Sequence, residues 1–149
     1  MNQNIWGPHL WFSLHTISFN YPLEPSIKDK EYYLNFFLNM QEVIPCSVCK
    51  KNYKRHLKEH PIENYLDNRK SLVYWVIDMH NMVNAEIGKK ILSYNVVIKK
   101  YENVYKKKIQ LNDSEIKYEN ENNIKYTKLI YGTFFIFIVL LIINFYYIK

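Results

Sequence analysis

Apolar residues recur at three- and four-residue intervals through most of the first two thirds of the chain, the spacing of one helix face. The clearest case is "SLVYWVIDMHNMVNAEIGK". Leu72, Trp75, Val76, Met79, His80, Val83 and Ile87 form a continuous stripe there, and Gly88 follows as a fitting stop. "PSIKDKEYYLNFFLNMQEVI" has a Ser26 cap and puts Tyr33, Phe36, Phe37 and Met40 at helical spacing. "GPHLWFSLHTISFN" starts with Pro8 in a first helical turn, carries Trp11, Leu14, His15 and Ser18 on one face, and stops before Pro22 and Pro25. "CSVCKKNYKRHLKEH", between Pro45 and Pro61, reads as a further helix. "SYNVVIKKYENVYKK" gives a short last one, with Tyr94, Val97, Tyr101 and Val104 on one side. No stretch alternates in strand fashion over a useful length. The expected class is all-α, a four-helix bundle with a short fifth helix.

The pattern changes towards the C-terminus. Residues 1–108 read as the globular domain. Residues 109–128, including "IQLNDSEIKYENENN", are polar and without apolar periodicity, as a linker would be. Residues 129–148, "LIYGTFFIFIVLLIINFYYI", carry no charge, and about 20 such residues are what a helix needs to cross a bilayer. Tyr131 stands near one end and Tyr146 and Tyr147 near the other, as interfacial aromatic belts do. Lys106, Lys107, Lys108, Lys125 and Lys128 precede the run and only Lys149 follows it. That bias places the body of the protein on the cytoplasmic side. The expectation is a single-pass, tail-anchored membrane protein. The opening "MNQNIWGPHLWF" lacks the basic start and long apolar run of a signal peptide.

Composition refines this only slightly. The 149 residues are 48% hydrophobic and 17% aromatic, enough for a real core, and three glycines and five prolines favour helices over tight-turned sheets. The abundance of Asn, Lys, Ile and Tyr is the bias of an AT-rich genome. The net charge of +6 falls partly in "KKYENVYKKK", which reads as a solvated or membrane-proximal face and not as a nucleic-acid site.

The chemistry is concentrated in "IPCSVCKKNY". Cys46 and Cys49 are the only two cysteines, too few for a secreted disulfide scaffold. With His56 and His60 they look like four zinc ligands. On one helix, however, Cys49 and His56 stand about 10 Å apart along the axis, too far to share a metal. The histidines lie among Lys54, Arg55 and Lys58, as on a solvated face. No metal is expected. A redox dithiol fits better. Cys46, after Pro45, falls at the first turn of a helix, where unpaired N–H groups stabilise a thiolate. Cys49 lies one turn deeper on the same face, and Lys50 and Lys51 add positive charge. Cys46 is then the outer sulfur and Cys49 the inner one. A thioredoxin fold would need strands that this chain lacks.

"WGPHLWFSLHTISFNYP", "PCSVCKKNYKRHL" and "WVIDMHNMVNAEIGKK" occur in that order, and together they resemble the Erv/ALR family of FAD-linked sulfhydryl oxidases, particularly those of large cytoplasmic DNA viruses. The resemblance runs from Trp6 to Tyr101. It implies a four-helix bundle that binds FAD at one end, usually as a homodimer. It makes Cys49 the sulfur beside the flavin and Cys46 the one that exchanges with substrate. Gly7, Trp11 and His15 match its first flavin-binding helix. His80, Asn81 and Asn84 match its H-N-x-x-N, Lys89 a following basic residue, and Tyr101 a late aromatic over the adenine. Electrons would pass from a partner dithiol through the cysteines and FAD to O2, giving H2O2. The partner would be a thioredoxin-like or other C-x-x-C protein, in a host-cell or virion membrane setting. The extra cysteine pairs of many members are missing here, and Ile77 and Val96 lie near where one bracing pair would stand.

The residues themselves agree in part. His80 and Asn84 are i, i+4 neighbours on an apolar stripe, where polar groups need partners. Trp11 and Trp75 are core residues or stacking neighbours of a flat ligand. Lys89 and Lys90 are a plain helix end or partners of a pyrophosphate. Two other readings stay open: a non-enzymatic, membrane-tethered helical adaptor with a structural C-x-x-C, and a small zinc module.

Overall fold

The computed structural model of the chain describes residues 2–111 and 130–134. Residues 2–111 form α1 (Gln3–Phe19), α2 (Ile27–Val43), α3 (Ser47–Glu59), a 3-10 turn (Ile62–Tyr65), α4 (Arg69–Glu86) and α5 (Tyr94–Tyr105). They contain no strand, as the sequence pattern predicts. Residue 129 and residues 135–148 of the uncharged run, and the polar stretch from 112 onward, lie outside the described residues. Among the described residues no helix is long and apolar enough to cross a membrane.

Helix starts follow local chemistry. Ser26 caps α2 in a reciprocal box, its side chain accepting from the Asp29 N–H while the Asp29 carboxylate accepts from the Ser26 N–H. Asn68 caps α4 through the Ser71 N–H. Gly88 ends α4 with φ of +68°, a region glycine enters without steric cost. α1 departs from expectation. It begins at Gln3, capped by Asn2, so Pro8 lies inside the helix and not in its first turn. The cap at Asn2 starts the helix one turn early, and a proline this near the N-terminus removes only one intrahelical bond.

The main core joins Leu14 and Tyr21 to Phe37 and Met40 of α2, Tyr53 and Leu57 of α3, and Leu72, Trp75, Val76 and Met79 of α4. Trp75 meets Phe37 edge to face at 5.1 Å and donates its indole N–H to the His60 carbonyl at 2.9 Å. A second cluster fixes α5: Val73 and Ile77 pack against Val97, Ile98, Tyr101 and Leu111. α4 is therefore apolar on two sides, which a single stripe did not anticipate. Ile87 and Val104, placed on buried stripes by spacing, are exposed because each stands at the end of its helix, and Phe36 is partly exposed. Val96 points outward while Ile77 is buried, so the α4–α5 joint is made by packing and not at the suggested bracing pair. The folded part also runs past residue 108. Ile109 and Leu111 pack on the second cluster, and Arg69 donates to the Gln110 carbonyl at 2.9 Å.

Candidate active site

Cys46 and Cys49 form a disulfide at the start of α3, with Cα atoms 5.2 Å apart. Cys46 is the N-cap and not the first helical residue: its Sγ accepts the Cys49 N–H at 3.2 Å. Pro45 and the extended backbone of Cys46 set that geometry. The cap keeps the predicted electrostatics, because the unpaired N–H groups of the first turn face the Cys46 sulfur. Both cysteines are half-buried, so burial alone does not rank them; position does, with Cys46 outside the helix and Cys49 within it.

A residue that spacing and resemblance both missed touches the pair. The Gln3 side-chain oxygen lies 3.5 Å from Cys49 Sγ and 3.9 Å from Cys46 Sγ. Gln3 opens α1, and Gln3, Gly7, Trp11 and His15 stand four residues apart on one ridge of that helix. The ridge is about 18 Å long. At one end is the disulfide. At the other, the Trp11 ring stacks on His80 at 4.1 Å with 3° between planes, and His15 Nε2 meets His80 Nδ1 at 2.9 Å. Between them, a Cβ on Gly7 would meet nothing within 4 Å. The ridge has an open gap between the sulfurs and the Trp11–His80 stack.

The two imidazoles are held neutral. Burial, then His80 and Lys100, lower His15 to about 3, and burial, then Lys100 and Lys89, lower His80 to about 4. One neutral ring donates and the other accepts. Lys100 of α5 thus acts on both histidines, a cation that the matched motifs did not include. Its signal was its place next to Tyr101, whose ring centroid is 5.1 Å from that of His15.

The remaining expected residues divide. Asn84 is buried in the last turn of α4, and Lys89 is exposed just beyond it. Asn81 is committed elsewhere. Its carboxamide donates to the Leu92 carbonyl at 2.8 Å and accepts the Leu92 N–H at 3.0 Å, pinning the loop that leads to α5. Tyr101 is buried among Phe12, His15 and Phe19, and so supports the site from behind. Trp75 is a core residue.

His56 departs from the solvated face expected of it. It is buried at 1% exposure, with Nε2 2.8 Å from a Glu86 carboxylate oxygen that Arg55 also holds, while Asn52 donates to the other oxygen. His56 shares the Tyr53–Leu57 stripe of α3, so helical spacing outweighs its charged sequence neighbours. Burial raises the Glu86 carboxyl, but the bonds from His56 and Arg55 outweigh it and hold the group below its usual range. His60 faces Tyr65 and Asp78, a different carboxylate of α4 from the one His56 meets.

The site fits a large, flat, polar-edged ligand such as a flavin dinucleotide. Trp6 Nε1 and His15 Nδ1, on the same helix as Gly7, are buried without hydrogen-bond partners, as are His56 Nδ1 and His60 Nε2 towards the end of α3, and the space over Gly7 is open. Lys89 and Lys100 supply positive charge next to His80.

Comparison with known proteins bears on the same span. The model of the Erv1/Alr family matches residues 8–106. A probable FAD-linked sulfhydryl oxidase of Acanthamoeba polyphaga mimivirus is 39% identical over 103 residues, 68% of this chain and 72% of that protein. An FAD-linked sulfhydryl oxidase of African swine fever virus is 32% identical over 104 residues, 70% of this chain and 82% of that protein. The crystal structure of the yeast Erv1 core shares the fold, with TM-score 0.64 and 24% identity over 68% of this chain and 85% of that one.

Proposed function

The chain belongs to the Erv1/Alr family, and from that premise we propose that it is an FAD-linked sulfhydryl oxidase working through the Cys46–Cys49 disulfide. The observation that carries the reading is the ridge of α1. It joins a disulfide in contact with the Gln3 side chain to the stacked Trp11–His80 pair across the gap at Gly7. A structural C-x-x-C in an adaptor would have no need of the open space over Gly7 or of the buried, unpartnered Trp6 Nε1 and His15 Nδ1 on the same helix.

A substrate thiolate attacks Cys46 Sγ, the sulfur outside α3. A new S–S bond forms to substrate, the Cys46–Cys49 bond breaks, and Cys49 leaves as a thiolate. The helix start stabilises the developing negative charge on sulfur. The second substrate thiol loses its proton and attacks its own sulfur in the mixed disulfide, expelling Cys46. The substrate has then given up two electrons, and Cys46 and Cys49 form a dithiol. Bound FAD would supply the two-electron acceptor that returns this dithiol to the disulfide, with O2 as the final oxidant and H2O2 as its product. Gly7, Trp11, His15, His80, Asn84 and Lys89 would hold the cofactor on the Cys49 side of the pair, while Asn81 and Tyr101 fix the elements around it. Neutral His15 and His80 leave a ring stack and a hydrogen-bonding edge without added charge.

The wider setting belongs to the same proposal. Residues 1–108, with the short extension to Leu111, are the oxidase domain, 109–128 a linker, and 129–148 a membrane anchor with the domain on the cytoplasmic side. The uncharged run and the lysines before it support this placement. The partner is a thioredoxin-like or other C-x-x-C dithiol protein, and the working unit is a homodimer. The test is Cys46→Ser. It should abolish oxidation of a protein dithiol while FAD stays bound; full oxidation by that variant overturns the scheme.

A further inference from the structure

The reaction scheme leaves the cluster around Glu86 unused. Glu86 ends α4, where the last carbonyls already carry partial negative charge, so a carboxylate there is electrostatically misplaced. Three side chains of α3 offset this. Asn52 donates to one carboxylate oxygen at 3.0 Å, His56 Nε2 lies 2.8 Å from the other, and Arg55 holds that second oxygen as well. Helix geometry relates the contact to the redox pair. At about 100° per residue, His56 stands only about 20° around the α3 axis from Cys49, and Asn52 about 60°. The side of α3 that carries Cys49 is therefore the side that Glu86 grips. The ties from His60 to Trp75 and Asp78 of α4 lie at the other end of α3. Glu86 also belongs to the segment assigned to the cofactor. It lies between Asn84 and Lys89, and the Lys89 N–H donates to the Asn84 carbonyl at 2.8 Å.

We propose that Glu86 is a positioning residue of the oxidase: by gripping Asn52, Arg55 and His56 it fixes the rotation of α3 and so aims the Cys49 sulfur at the cofactor held by the last turn of α4. The inference rests on the oxidase reading and adds a residue to which that reading gives no role. A side-chain atom about 5 Å from a helix axis moves about 2 Å when the helix turns by about 20°. Misplacement by about 1 Å can cost a reaction about a hundredfold. The effect falls on the step at Cys49, in which the Cys46–Cys49 dithiol is oxidised and its two electrons go to bound FAD. Opening of the disulfide by a substrate thiolate depends on access to Cys46 at the helix cap and is spared.

The test mixes the full-length, FAD-loaded protein with excess dithiothreitol in the absence of oxygen. Acid-quenched mass spectrometry follows opening of the Cys46–Cys49 disulfide, bleaching of the visible flavin band follows the second step, and flavin fluorescence gives the FAD affinity. In Glu86→Ala, opening and FAD affinity should stay within about twofold of the parent while bleaching slows at least about tenfold. Glu86→Gln keeps acceptor oxygen for part of the grip and should recover part of that loss. Bleaching at the parent rate in Glu86→Ala would overturn the proposal. So would equal weakening of opening, affinity and bleaching, the mark of a role in the fold alone. Should Glu86→Ala fail to hold FAD, Asn52→Ala, which removes one of the three partners, decides: bleaching slowed about threefold with opening unchanged supports the proposal, and unchanged bleaching overturns it. No bleaching in the FAD-loaded parent would overturn the oxidase reading and the inference together.

Discussion

Acidification should loosen the α1–α4 contact before it reaches most carboxylates. His15 titrates at about 3 in the folded protein and near 6.5 once unfolded. The unfolded chain therefore binds the extra proton first as pH falls. The stability from a neutral, buried His15 is complete above about 6.5, declines as pH drops from there towards 3, and is fully lost below 3. Between pH 6.5 and 5 the loss from His15 alone is about 2 kcal/mol, from about 1.4 kcal/mol for each pH unit. His80, lowered to about 4, adds to it in the same direction, by less because it is partly exposed. One proton on the pair can keep the Nε2–Nδ1 hydrogen bond, while a second sets donor against donor. Urea unfolding of the full-length protein at pH 7, 6 and 5, followed by circular dichroism, measures the loss. The His15→Gln variant should lack roughly the His15 share of the slope. Equal slopes in the two proteins would refute the assignment of His15 as a buried neutral ring.

Asn81→Ala should lower stability by about 1–3 kcal/mol by leaving the Leu92 N–H and C=O without their partner, and hydrogen exchange at the Leu92 amide should quicken. Unchanged protection at Leu92 would contradict the pinning role. Ile77→Ala should cost about 2–5 kcal/mol in urea unfolding, whereas Val96→Ala should stay within about 0.5 kcal/mol, since Ile77 is buried against α5 while Val96, on α5 itself, points to solvent. Gln3→Ala should lower the pH at which the reduced protein forms its Cys49 thiolate, read from ultraviolet thiolate absorbance, because the Gln3 side-chain oxygen facing that sulfur accepts from the thiol and favours its neutral form. An unmoved titration would leave Gln3 a mere neighbour.

Much of the fold was legible because helical spacing and stop signals agree along the chain. The Ser26 box, the Gly88 stop and the Leu72–Met79 stripe all appear where the pattern places them. Cys46 and Cys49 were legible for a covalent reason: two cysteines three residues apart at a helix start can bond to each other. What stayed hidden depended on contacts between helices. A one-sided reading of α4 missed Val73 and Ile77, which bury only once α5 lies across them. His56 looked solvated from its sequence neighbours, although its i−3 and i+1 companions Tyr53 and Leu57 marked it as inward-facing. Gln3 reaches the sulfurs from 43 residues away in sequence, which local pattern does not report, yet it stands four residues before Gly7 on the same ridge. Asn81 shows a further limit. A motif position marks where a residue matters, and here its carboxamide is spent on the Leu92 backbone.

The most direct test of the oxidase is oxygen uptake by the purified full-length protein, loaded with FAD and given dithiothreitol. Uptake that depends on the dithiol, yields H2O2 and disappears in Cys49→Ser is the predicted result. No uptake by a protein with FAD bound, or undiminished uptake by Cys49→Ser, would contradict the account that Cys46 and Cys49 carry electrons from thiols to the flavin site.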